Sequence, residues 1–167
     1  MTTEAPTVFT TSRTFDAPRE LVWRVWTQPQ HLARWMSPAG MTQLGSSLDL
    51  RPGGVFHYGL RTPDGQELWG KWVFGEIVPP ELLEFIQAFS DAAGGLDRNP
   101  MAAEWPLETL STVTFSEADG KTTVTLSSKP VNASEGERQT FAGAFDSMTQ
   151  GWGGTFDKLT AYLASMG

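Results

Sequence analysis

The chain has 167 residues, 40% apolar and 19% charged, the composition of a folded domain rather than a disordered segment, and residues 1–167 read as a single domain. A net charge of −7 argues against a nucleic-acid surface, and the absence of cysteine removes disulfides, thiolate chemistry and Cys-ligated metal. No apolar run reaches the roughly 18 residues of a membrane span, and Met1–Pro6 lacks the flank of a secretory signal, so the expected location is cytoplasmic.

Thr7 to Phe15 is rich in β-branched residues and reads as a strand. Asp16-Ala-Pro-Arg-Glu20 opens a helix running to about Thr27, with Pro18 in its first turn and Asp16 as a capping candidate. Leu21, Val22, Val25 and Trp26 form its apolar face. A second short helix covers Pro29 to about Trp35 and is stopped by Pro38 and Gly40. The period then changes to two. Strands are predicted over Thr42–Leu50, Val55–Thr62, Gln66–Ile77 and Leu82–Ser90, separated by Arg51-Pro-Gly-Gly54, Pro63-Asp-Gly65 and Pro79-Pro80. Asp91–Pro106 is a long Gly/Ala/Pro/Asp loop that carries Met101 and Trp105. Glu108–Ser116 and Thr122–Lys129 pair through Asp119-Gly120, with Val113, Phe115, Val124 and Leu126 facing inward. Ser134-Glu-Gly-Glu137 has capping-box spacing. From there Phe141, Phe145, Met148, Trp152, Phe156, Leu159 and Leu163 recur every three or four residues, which predicts one helix from about Glu135 to Ser165. Gly151, Gly153 and Gly154 lie inside it and suggest a bend or a close contact there. An antiparallel sheet covered by this helix gives an α+β domain, with room for a cavity where the sheet curves.

The chain resembles the family named after activators of the ATPase of the 90-kDa heat-shock chaperone, in the START-like (SRPBCC) superfamily. The stretches that carry the resemblance are Phe15-Asp-Ala-Pro-Arg-Glu-Leu-Val-Trp-Arg-Val-Trp-Thr27, His31-Leu-Ala-Arg-Trp35 with Pro38, Arg51-Pro-Gly-Gly54, Pro63-Asp-Gly65, Glu76-Ile-Val-Pro-Pro-Glu-Leu82, and Gly151-Trp152 with Leu159 and Tyr162-Leu163. The resemblance implies a helix-grip fold: a curved antiparallel sheet around a long C-terminal helix, with two short helices after the first strand. It also implies a cavity for apolar ligands in many relatives and chaperone regulation in the eukaryotic ones.

Chemistry-bearing residues are sparse. The two histidines, His31 and His57, have no carboxylate or second His at metal-ligand spacing. No G-x-S-x-G elbow or phosphate-loop spacing occurs. No catalytic residue, metal or cofactor is assigned. On the fold that the resemblance implies, Trp35 and Met36 stand near a cavity mouth. His57, Trp72, Phe74, Phe85, Gln87 and Phe89 are strand candidates for its wall, with His57 and Gln87 as the polar groups that orient a ligand. Met101 and Trp105 on the loop, and Phe141, Phe145, Met148 and Trp152 on the final helix, complete the candidate set. The leading reading is binding of a small apolar, aromatic or lipid-like molecule. A protein-interaction module, with a chaperone or a second copy of the chain as partner, is the first alternative. A cyclase- or hydrolase-type enzyme in the same cavity is the second.

Overall fold

The computed structural model describes residues 8–35, 41–93, 95 and 105–166. Period-two segments form seven strands: β1 (Phe9–Phe15), β2 (Thr42–Leu48), β3 (Val55–Arg61), β4 (Glu67–Val78), β5 (Leu82–Ser90), β6 (Glu108–Ala118) and β7 (Lys121–Val131). They make one curved antiparallel sheet in the order β1-β7-β6-β5-β4-β3-β2. Strands β2 to β7 follow one another as a meander. The chain leaves β1 through α1 (Arg19–Thr27) and α2 (Pro29–Trp35), and β1 pairs with the last strand, from Phe9↔Ser128 to Phe15↔Thr122.

The alternation fixes which side of each strand is covered. Thr109, Ser111, Val113 and Phe115 of β6 are buried, as are Thr122, Val124, Leu126 and Ser128 of β7. Val113 faces Leu126 and Phe115 faces Val124, the predicted inward set. The turn between these strands has positive φ at both central residues, Asp119 (55°) and Gly120 (75°), which matches the twist of the two strands it joins.

Two local expectations change. Pro18 is the cap residue of α1 and has extended backbone angles, and its own side chain makes no capping hydrogen bond. The amide of Arg19 instead donates to Glu117 Oε2 at 2.9 Å, so a β6 carboxylate does the work expected of Asp16. The predicted final helix divides into α3 (Glu135–Ala142) and α4 (Phe145–Met166). The break falls at Gly143, whose N–H closes the end of α3 on Gln139 O, and not at Gly151–Gly154, which are helical. Glycine inside a helix costs about 1 kcal/mol, and the packed stripe that follows offsets it. The capping box forms as read: Ser134 Oγ accepts from the Glu137 amide, and Glu137 Oε1 accepts from the Ser134 amide.

Helix α4 lies over the concave face. Phe156, Leu159 and Leu163 bury against the inner residues of β1 and the two short helices, with the Phe15 ring edge-on to Phe156 at 5.8 Å. Val22, Val25 and Trp26 of α1 and Leu32 and Trp35 of α2 complete this end of the core.

A cavity with a polar floor as the candidate functional site

Between the other end of α4 and the sheet the packing opens into a cavity of about 710 Å³, partly open to solvent. Its size falls within the roughly 300–1,000 Å³ of small-molecule sites. The sheet contributes Phe56, Tyr58 and Leu60 from β3, Trp72 from β4, Gln87 and Phe89 from β5, Thr109 from β6 and Ser128 from β7. The helices contribute Leu32, Phe141, Met148, Gly151, Trp152, Gly154, Thr155 and Lys158, and the segment before β6 adds Trp105, Pro106 and Leu107.

Strand register explains this set. Phe56 faces Trp72, Trp72 faces Gln87 and Gln87 faces Thr109, so one cross-strand row supplies two aromatic and two polar groups to the same face. Tyr58 faces Gly70, and a Cβ at Gly70 would stand 2.5 Å from Tyr58 Oη. The bare glycine therefore lets the phenol lie across β4 toward β5. Burial pushes the Tyr58 pKa above its ordinary 10.0, while the nearby Gln87 and Trp72 side chains pull it the other way. Trp72 Nε1 is buried and has no partner in good hydrogen-bond geometry.

Of the residues singled out from the sequence, Trp72, Gln87, Phe89, Trp105, Phe141, Met148 and Trp152 border the cavity. Four others belong to the core instead. Trp35 is fully buried, with Nε1 donating to Val25 O at 2.9 Å. Phe74 and Phe85 are buried, the latter stacked 4.0 Å beneath Trp72, which screens it from the cavity. Phe145 packs on Phe9 and Phe141. His57 is on the opposite face of the sheet, stacked on Trp69, with Nε2 3.2 Å from Asp91 O. A β3 phase through Val55 and His57 puts His57 on the cavity wall, but in the structure Phe56, Tyr58 and Leu60 point inward. Met36 and Met101 lie outside the described residues. Phe56, Tyr58, Leu60, Thr109 and Ser128 also line the cavity and are not among the residues singled out from the sequence. On β3 the signal was available, since the Phe56-Tyr58-Leu60 phase is the more apolar of the two.

Lys158 carries the one formal charge among the described lining residues. Among the described residues no group of three or more His, Asp or Glu could hold a metal ion, and no helix is long and apolar enough to cross a membrane.

The family described as activator of Hsp90 ATPase homolog 1-like proteins matches residues 16–164. The chain belongs to this family. No curated protein matches it. Among solved structures, a Mycobacterium smegmatis protein is similar at 24% identity and a TM-score of 0.77, over 94% of this chain and 90% of that one. A protein from Arthrobacter aurescens, solved by NMR, is 26% identical with a TM-score of 0.76, over 97% and 90% of the two chains. A family protein from Silicibacter pomeroyi is 17% identical with a TM-score of 0.71, over 96% and 99%. These likenesses establish the helix-grip fold.

Proposed function

We propose that the protein binds a small apolar or aromatic molecule in the cavity between the sheet and α4. The observation that carries this reading is the cavity itself: about 710 Å³, walled by Phe56, Leu60, Trp72, Phe89, Trp105, Met148 and Trp152. Burial of ligand surface there contributes roughly 25 cal/mol per Å², and the few polar groups on the floor orient what is bound. The aromatic residues that a filled core would use to close this space pack sideways instead. Trp72 stacks on Phe85 and Trp152 tilts against Phe156 at 5.4 Å.

Titration with N-phenyl-1-naphthylamine, a neutral probe that brightens on burial, tests the proposal. Saturable binding to the folded protein, with quenching of tryptophan emission from Trp72, Trp105 and Trp152, is the expected result. No saturable signal would overturn it. The competing reading, association with a chaperone, rests on the family description alone. It gains if the probe fails and the 90-kDa chaperone's ATPase rate responds to the protein.

A further inference from the structure

The cavity is apolar on most of its wall, but its floor is not. Tyr58 crosses Gly70 and brings its hydroxyl to the region of Gln87 and Trp72. Trp72 Nε1 on the same floor is a buried donor with no partner among the described residues. A phenol has one proton to donate as well as lone pairs that accept. Among the described residues nothing accepts the Tyr58 proton. Part of the Tyr58 side chain is still reachable, although burial raises its pKa. Tyr58 lines the cavity.

Resting on the ligand-binding reading, we infer that the occupant carries an uncharged hydrogen-bond acceptor, a ketone, ester or amide carbonyl, which takes the Tyr58 hydroxyl proton at the cavity floor. A donor left unpaired beside an apolar ligand costs binding free energy, and an acceptor in the right place recovers it. Charge selects the class. Among the described residues the floor offers a phenol, a carboxamide and an indole N–H, with Thr109 beside Gln87 in register, and no cation. A carboxylate placed there would lose its hydration without an opposite charge. Lys158 is on α4, across the cavity from the sheet.

Three compounds of one shape separate the possibilities: 2-acetylnaphthalene, 2-ethylnaphthalene and 2-naphthoate, each displacing N-phenyl-1-naphthylamine. The ketone should bind the wild type about tenfold more tightly than the hydrocarbon, the factor that one recovered hydrogen bond supplies. Tyr58→Phe should erase that preference and leave the hydrocarbon within about twofold of its wild-type affinity. Gly70→Ala, which displaces the phenol without removing it, should reduce the preference as well. Equal affinity of ketone and hydrocarbon for the wild type would overturn the acceptor assignment while the ligand-binding reading stands. Tightest binding of 2-naphthoate would also overturn it, placing the polar end of the ligand at Lys158. Failure of the probe itself to bind would remove the cavity reading, and this inference with it.

Discussion

The two halves of α4 are built from one apolar stripe and do opposite things. Toward the C-terminus, Phe156, Leu159 and Leu163 are buried, and Tyr162 Oη meets His31 Nδ1 of α2 at 2.6 Å. Toward the N-terminus, Met148 and Trp152 are only partly covered, and Gly151 and Gly154 present bare backbone to the cavity. The difference lies less in the helix than in what faces it. The short helices and Phe15 of β1 seat the C-terminal half, while Met148, Gly151 and Trp152 of the N-terminal half look across the cavity to the sheet. Helical periodicity therefore identifies a face that turns inward without saying whether that face meets protein or empty space.

Truncation should separate the halves most sharply. Leu159→Ala is expected to lower stability by about 2–5 kcal/mol, as for a fully buried leucine, with little change in probe affinity per folded molecule. Met148→Ala should cost less than about 2 kcal/mol, because its side chain already borders a void, and should change probe affinity. Urea denaturation with parallel probe titrations reads both, and equal stability losses would mean that the cavity is closed in solution.

The glycines give the next largest effect. A Cβ at Gly151, Gly153 or Gly154 would meet nothing within 4 Å. Alanine at each should therefore stabilise the protein by about 0.5–1 kcal/mol through helix propensity. Gly151→Ala and Gly154→Ala add a methyl to the cavity wall and should weaken probe binding. Gly153 does not contribute to that wall among the described residues, so Gly153→Ala should stabilise without that loss. A stability gain at all three positions with unchanged affinity would show that the ligand never touches this helix.

Much of the architecture was legible because it is local. The inward sets of β6 and β7, the capping box at Ser134 and the stripe of α4 are periodicities or spacings in the sequence. The site was legible only in part, because its membership depends on neighbours distant in sequence. Phe85 and Gln87 alternate on the same face, yet only Gln87 reaches the cavity, since Trp72 from the adjoining strand covers Phe85. Trp35 ends a helix beside the expected mouth, but a backbone carbonyl ten residues earlier takes its N–H and holds it in the core. His57 and Tyr58 differ by one step of strand phase, and a one-residue shift reverses the face of every side chain.

Two smaller effects remain. Above pH 10 the unfolded Tyr58 loses its proton while the buried one keeps it, so its contribution to stability, complete below that pH, falls as pH rises through the elevated folded value. Tyr58→Phe should flatten the alkaline limb of the stability curve, and an unchanged limb would place Tyr58 in water. On the sealed side, Arg13 bridges Asp157 at 2.8 Å and covers the Phe156 ring. Asp157 is 74% exposed, so Asp157→Asn should shift stability by less than about 1 kcal/mol. A larger loss in a urea midpoint would make that half depend on the ion pair as well as on burial.

The pairing of the first strand with the last has a consequence for how the chain is made. While the protein is still on the ribosome, β2 to β6 can zip together in order, each beside the strand just released. β1 must wait, because its partner β7 emerges only after nearly all the rest. Until then its Phe9 and Phe15, and the apolar face of α1, have no finished surface to rest on. Contacts between distant segments close slowly, and hydrophobic surface left open meanwhile is the usual route to aggregation. Among the seven strands the first to emerge is thus the last to be paired, and translation speed through β6 and β7 sets how long it stays exposed.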